Sequence, residues 1–483
     1  MANKTNTLSV DICVIGAGAG GLSVAAGASQ MGASVALIES GKMGGDCLNF
    51  GCVPSKAMLA AGHAAEAVRR AGRFGVGAVG PTIDAKGVYG HIHSVIAAIE
   101  PNDSVERFEG MGVTVVRGVG RFIGRREVEV GGEAATTRIT ARRFVIATGS
   151  RPFVPPIPGL DGVDYHTNET IFQGPELPDH LIVIGGGPIG IEMAQAHRHL
   201  GARVTVLEMF SIMPKDDPEL VAVVRRQLDE DGIDIIEGAA ITGVEKSSAG
   251  VTVSLGGGDG GQTRTIEGSH LLVATGRRAN VDGMRLEAAN ISASPKGIEV
   301  DARLRTTNKH VFAIGDVAGG LQFTHVAGYH AGVVIKNALF RWPAKADHRF
   351  VPWVTFTSPE LAQVGLTEAD AIKEHGDIRV LRWPYHENDR AQAEAATDGM
   401  VKVVVTPKGK ILGCGIAGAR AGELIQTWVL AMSQNIKIGA VAQMIAPYPT
   451  LGEVSKRTAG SFYTPSLFSE RTRKIVGFLR RFG

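Results

Sequence analysis

Only four cysteines occur in the 483 residues. That is too few to staple a secreted scaffold with disulfides. An excess of one charge is also missing: 50 Lys plus Arg face 48 Asp plus Glu, a net charge of +2. Nothing global therefore points to nucleic acid or to an acidic partner. No apolar run reaches the ~18 residues that a membrane-spanning helix needs. The opening MANKTNTLSVDICVIG carries one Lys and then an apolar run that stops at glycines, which is not a secretory signal. The expected compartment is the cytoplasm, where a disulfide is usually catalytic or redox-sensing rather than structural.

Glycine, by contrast, is abundant. There are 64, while 44% of residues are hydrophobic and 20% charged. Glycine at this level with high apolar content suits tight strand-to-helix turns and nucleotide loops better than disorder. The length suits roughly three domains of ~150 residues each.

Residues 10–15 (VDICVI) read as a buried strand, followed by Gly16-Ala-Gly18-Ala-Gly-Gly21, a small-residue helix, and SVALIES with Glu39 near its end. This is strand, GxGxxG, helix, strand, acid. Gly16 allows the tight turn, Gly18 lets backbone approach a pyrophosphate, and Gly21 lets helix and strand pack. Glu39 can bind ribose hydroxyls. The pattern recurs as LIVIG, Gly185-Gly-Gly187-Pro-Ile-Gly190, a helix, and ARVTVLE ending at Glu208. Two units imply two dinucleotides, and so electron transfer between them. A carboxylate at Glu208 accepts from a 2′-hydroxyl and repels a 2′-phosphate. No Arg lies in residues 209–217, although Lys215 does. The second unit is therefore expected to prefer NAD(H) over NADP(H).

FVIATGSRP (144–152) and LLVATGRRAN (271–280) are apolar strands that each end in Ala-Thr-Gly. Their recurrence on both sides of the second unit suggests crossing points between interleaved domains. Thr148, Gly149 and Gly276 join the candidate cofactor-binding residues here. HVFAIGDVAGG (310–320) places Asp316 at a strand's C-terminal end, where ligands sit in such folds.

GGDCLNFGCVPSK (44–56) holds Cys47 and Cys52 four residues apart. A structural bridge, half a metal site and a working dithiol are all open readings. The metal reading is weak, because no further Cys or His cluster lies at ligand spacing. Cys13 and Cys414 fall in strand patterns and read as small buried residues.

Taken together, the chain to about residue 465 resembles the flavoprotein disulfide reductases of the glutathione reductase, dihydrolipoamide dehydrogenase and mercuric reductase type. Their redox motif is CxNxGCxPxK, and here stands Cys47-Leu-Asn49-Phe-Gly51-Cys52-Val-Pro54-Ser-Lys56. The resemblance implies an α/β fold with two interleaved Rossmann-like domains and a C-terminal α+β dimerisation domain. The expected boundaries are 1–150 and 277–350 for an FAD domain, 151–276 for a nicotinamide domain and 351–466 for a homodimer interface. Gly16, Gly18, Gly21 and Glu39 would then bind FAD, with Asp316 on the ribityl side and His325 near the flavin. Gly185, Gly187, Gly190 and Glu208 would hold the nicotinamide dinucleotide. Cys47 and Cys52 would be a redox disulfide, with Cys52 nearer the ring and Cys47 facing substrate. Lys56 is expected to pair with Glu192 beside the flavin.

The chain departs from these relatives in one catalytic element. Where the glutathione and lipoamide enzymes carry H-P-T-x-x-E, IAPYPTLGEVSKR puts Tyr448, with Pro449, Thr450 and Glu453 matching. Tyr has a pKa of ~10 against ~6.5 for His, so it is a poor neutral-pH base. It can donate a hydrogen bond or a proton, or help coordinate a metal ion. Mercuric reductases look similar in this region but carry a C-terminal cysteine pair, and here the last cysteine is Cys414. The sequence reading is an NADH-dependent reductase with an unassigned disulfide, thiol or metal acceptor. Authentic dihydrolipoamide dehydrogenase, mercuric reductase and a non-enzymatic redox-sensing or scaffolding flavoprotein are the alternatives.

Past the core lies LFSERTRKIVGFLRRFG (467–483). Phe468, Thr472, Ile475, Leu479 and Phe482 recur at helical spacing, with five basic residues against Glu470. An amphipathic basic helix of this kind suits an anionic membrane surface. Packing on the dimer, or a solvated tail, is the competing expectation.

Overall fold

The computed structural model describes residues 4–131, 135–256 and 264–482. Gly483, the last residue of the tail, lies outside them. The chain forms two compact units: residues 1–61, 82–185 and 240–347, and residues 62–81, 186–239 and 348–483.

The first unit is built on a seven-stranded sheet. Strand β1 (Lys4–Ile15) leads into helix α1 (Ala19–Gln30) and strand β2 (Val35–Glu39). Helices α2 (Gly45–Asn49) and α3 (Cys52–Arg70) follow. Strands β3 (Val113–Arg117), β4 (Gly120–Gly124), β5 (Glu127–Gly131) and β6 (Ala135–Ile146) complete its first half. β1 pairs in parallel with β2 and β6, and β2 with β3. The near-continuous apolar runs of β1 and β2 belong at the centre of such a sheet, because both faces are covered. Ile12, Cys13, Val14, Ala36 and Leu37 are fully buried.

β6 is shared along its length. Its first half takes β5 antiparallel, and its last residues take the strand Val311–Ala313 in parallel, Val311 opposite Phe144. The polypeptide thus returns to its first sheet after more than 160 residues, as interleaving requires. The two Ala-Thr-Gly exits also meet: Ser150–Pro152 pairs antiparallel with Arg277–Ala279. Elsewhere in this unit, His180–Ile184 runs parallel to His270–Val273, and residues 241–268 add an antiparallel meander.

The second unit begins with the C-terminal half of α3. It then runs through the helix Pro188–His199, the strand Arg203–Glu208, the helix Pro218–Glu230 and the strand Asp234–Glu237, whose two strands pair in parallel. A five-stranded antiparallel sheet of residues 353–418 follows, covered by helices from 421 onward. Trp428 and Tyr385 are its largest buried side chains, and Trp428 Nε1 donates to Ser455 Oγ at 3.1 Å. Cys414 lies inside this core, as Cys13 lies inside the other. Among the described residues, no helix is long and apolar enough to cross a membrane.

One buried charge organises this second unit. Lys402 Nζ, 5% exposed, lies 2.9 Å from Asp217 and 2.8 Å from both Glu219 and Glu368. Burial pulls the Lys402 pKa down, but the three carboxylates outweigh it and hold it above its ordinary value. Arg382 closes the cluster on Glu219, whose pKa falls to about 2, chiefly through that bond. Removing one partner of such a cluster strands the others. Lys402→Met is expected to cost about 3–5 kcal/mol. Urea unfolding checks this, and a midpoint equal to that of the wild type would refute it.

Candidate active site: a dithiol between two helix starts

Each residue of the cysteine motif has a local task. α2 carries Cys47 and Asn49, and α3 begins at Cys52. Asn49 Nδ2 donates to the carbonyls of Met43 and Gly45, both at 2.9 Å, which ties down the turn. A Cβ on Gly51 would lie 3.0 Å from the Asp46 carboxylate and 3.3 Å from Cys47 Cα, so a side chain here would crowd the chain where it doubles back beside Cys47. Pro54 lies in the first turn of α3, where its missing N–H costs nothing.

The two sulfurs are chemically unequal. Cys47 and Cys52 are free thiols joined by a hydrogen bond. That bond, a second from Thr324 Oγ1 at 3.5 Å, and the Lys56 charge bring the Cys52 pKa down to about 6, against opposing burial. Cys52 is the first residue of α3, and Thr324 is the first residue of the helix Thr324–Ala338. The positive ends of two helices therefore converge on one sulfur, which favours its thiolate. Cys47 moves oppositely: the bond to Cys52, then burial, push its pKa well up. His325 stacks on Phe323 with ring centroids 5.2 Å apart.

A polar network fixes the floor of this site. Arg277 Nε donates to Ser150 Oγ at 2.7 Å, and Arg277 Nη2 lies 3.2 Å from Asp46. Ser150 Oγ donates to Asp316 at 2.6 Å. Asn168 Nδ2 reaches both Asp46 and the Phe50 carbonyl at 3.1 Å. The Asp316 pKa is raised, mainly by burial. Thr148 and Asn280 exchange two hydrogen bonds, and Gly149 accepts from the Asn280 amide, so the two strand exits are locked together. Gly276 accepts from Phe153 N–H at 2.9 Å.

The glycine loops repeat one arrangement. Gly16 has φ +104°, and a Cβ there would meet the Ala147 carbonyl at 2.5 Å. A Cβ on Gly21 would run into the Gly16 carbonyl, whereas Gly18 has no comparable neighbour and leaves its edge open to a ligand. Glu39 accepts from Ala17 N–H and Gly41 N–H, both at 2.6 Å. Glu208 does the same with Gly186 N–H at 2.6 Å and Phe210 N–H at 2.9 Å. Gly185 shares the left-handed φ, at +114°, and Gly190 is buried.

The helices behind these loops start at Gly18 and Gly187. Among the described residues, neither start has a capping side chain or an acid in its first turn. The helices Ala85–Ile99, Pro218–Glu230 and Glu368–His375 are capped by Asp84, Asp217 and Thr367. Open N–H groups behind glycine, with no acid in the first turn of either helix, suit a pyrophosphate. The residues present thus fit a dinucleotide in each loop.

The second unit carries Gly187, Gly190, Glu192, Glu208, Tyr448 and Glu453, while Gly185 belongs to the first. Glu192 is 4% exposed and accepts from Phe356 N–H at 2.9 Å. Tyr448 is 71% exposed and donates to Asp389 at 2.9 Å, a bond that raises the phenol pKa. Glu453 opens the helix Glu453–Ser461. Sequence reasoning passed over Thr324, Ser150, Arg277 and Asp389. The first three adjoin His325, Gly149 and Gly276, and adjacency was the only available signal.

Residues 10–331 match the family described as pyridine nucleotide-disulphide oxidoreductase, and residues 351–459 match its dimerisation domain, which supports a homodimer. A mercuric reductase of Streptomyces lividans is 35% identical over 457 residues, covering 94% of this chain and 96% of that protein. A dihydrolipoyl dehydrogenase of Geobacillus stearothermophilus is 36% identical over 463 residues, covering 95% and 96%. The Cu(II) complex of the HOCl-induced flavoprotein disulfide reductase RclA from Escherichia coli superposes with TM-score 0.84 at 26% identity, covering 94% and 99%. LpdA of Mycobacterium tuberculosis superposes with TM-score 0.85 at 28% identity, with the same coverage.

The thiol asymmetry is measurable. In reduced protein, one thiolate absorbance step is expected near pH 6, present at neutral pH and lost as pH falls through that value. Cys52→Ser should remove the step and Thr324→Val should move it upward. A first step near pH 9 would contradict the assignment.

Proposed function

Because this chain belongs to the pyridine nucleotide-disulphide oxidoreductase family, we propose that it is an NADH-dependent flavoprotein reductase of its own Cys47–Cys52 disulfide, whose dithiol then reduces a disulfide or metal acceptor. The observation that carries this is the unequal pair, with Cys52 a thiolate near neutrality and Cys47 a protonated thiol. FAD, when bound, supplies two-electron exchange between nicotinamide and sulfur. Gly16, Gly18, Gly21 and the start of α1 hold its pyrophosphate. Glu39 takes a ribose, while Asp316, Thr148, Gly149 and His325 line the remainder. Gly185, Gly187, Gly190, Glu208 and Gly276 hold the nicotinamide dinucleotide. Lys56 and Glu192 are the charged residues assigned to the flavin side.

In the balanced step, NADH and the disulfide yield NAD⁺, the Cys47 thiol and the Cys52 thiolate. Cys52 keeps the negative charge, because its environment favours it. Cys47 attacks a disulfide acceptor as its proton passes to the leaving sulfur, or a metal acceptor as its proton passes to solvent, and Cys52 closes the disulfide as the two electrons leave. Tyr448, held protonated by Asp389, gives a hydrogen bond or a proton to the acceptor, and Glu453 orients this segment. The domains proposed are residues 1–150 with 277–350 for FAD, 151–276 for the nicotinamide dinucleotide and 351–466 for the dimer, and the compartment proposed is the cytoplasm, where a dithiol stays reduced.

Authentic dihydrolipoyl dehydrogenase is the second reading, favoured by the identity to the Geobacillus enzyme. It needs a base where Tyr448 donates instead. A general base contributes ~10²–10⁴-fold, so dihydrolipoamide-dependent NAD⁺ reduction should fall below authentic enzymes by about that factor. Equal turnover would favour the second reading. Anaerobic NADH should produce a long-wavelength thiolate-to-flavin band that Cys52→Ser abolishes. A flavin that does not bleach would mean a scaffold. An acceptor screen of disulfides, quinones and metal ions, with Cys47→Ser alongside, identifies what the dithiol reduces.

Glu208 sets the cofactor choice. NADH is expected to exceed NADPH in kcat/KM by roughly tenfold or more, the scale of one favourable against one repulsive contact. Glu208→Ala should narrow the ratio. A wild-type preference for NADPH would refute the assignment.

A further inference from the structure

The family match ends at residue 459, and the helix Glu470–Leu479 follows it in the second unit. Ser469 caps this helix, accepting from Thr472 N–H at 3.2 Å, and Thr472 Oγ1 donates to the Ser466 carbonyl at 2.8 Å. The helix is therefore locally specified, although none of its residues is buried. At 3.6 residues per turn, Ile475, Val476, Phe478, Leu479 and Phe482 fall on one broad face. Phe478 and Phe482 touch edge to face, with centroids 5.1 Å apart. Leu479 is 58% exposed and Phe482 74%. Arg473, Lys474, Arg480 and Arg481 occupy the opposite face, and Glu470 is the only acid of residues 467–483.

We propose that this helix docks the enzyme on an anionic lipid bilayer, apolar face down and basic residues among the headgroups. Exposed aromatic and aliphatic side chains bordered by Arg and Lys are what an interfacial helix needs. A second copy of the chain is the poorer occupant, since apposing two such tails would bring like charges together. A bilayer of anionic headgroups instead neutralises them.

The test uses the full-length, FAD-loaded protein. Co-sedimentation is compared on vesicles of phosphatidylcholine alone and of equal parts phosphatidylcholine and phosphatidylglycerol. Binding is expected on the mixed vesicles only, and it should weaken as salt rises. Arg480→Gln with Arg481→Gln should lower the partition coefficient roughly tenfold or more, at about fivefold per basic residue. Phe478→Ser with Leu479→Ser should abolish binding while flavin content and NADH oxidation stay unchanged. Equal binding by wild type and variants, or no binding by any of them, overturns the proposal. If the Phe478→Ser, Leu479→Ser protein instead loses its dimer by light scattering, the face belongs to a second copy and the proposal also fails.

Discussion

The chemistry depends on where one negative charge is cheapest to hold. The Cys52 sulfur sits at the first residue of α3 and against the first residue of the helix Thr324–Ala338, within range of Lys56. No single one of these groups makes a thiolate at neutral pH. Helix ends act within a turn, and a lone cation helps only modestly. The hydrogen bond from Cys47 contributes most to holding Cys52 low, and these groups add to it in separating the two sulfurs. It is also why the motif needs Asn49 and Gly51, which bend α2 back so that both sulfurs face the same spot.

The two nucleotide loops meet a second constraint by one repeated device. A strand-ending glutamate ties the loop by accepting one amide from within it and a second from two residues beyond itself. The glutamate thus fixes the loop conformation with the same carboxylate that is proposed to meet a ribose. Replacing it changes loop geometry as well as cofactor preference. Glu39 and Glu208 serve alike in this respect, despite the different cofactors proposed for them.

Much of this was legible in the sequence because it rests on short-range pattern. GxGxxG, the apolar strands and CxNxGCxPxK each specify local backbone, and the structure has the turns they call for. The repeated Ala-Thr-Gly exits were read as crossing points, and they pair with each other. Illegible were the partners brought in by tertiary contact. Thr324 lies 272 residues from Cys52, Arg277 lies 231 from Asp46, and Asp389 lies 59 from Tyr448. Nothing in single-sequence periodicity ranks one Arg or Thr above another at such separations. The buried Lys402 cluster was missed for the same reason, since a lone Lys in MVKVVV reads as the solvent face of a strand.

The return of Val311–Ala313 to β6 has a consequence for biosynthesis. A ribosome delivers residues in order, and the first glycine loop emerges early. The strand that flanks β6, and Asp316 behind it, emerge only after about two-thirds of the polypeptide has been made. Until then β6 has an open edge along its last residues, and the carboxylate proposed for the ribityl side does not yet exist. The first sheet is therefore completed late, after the residues between β6 and Val311 have been made.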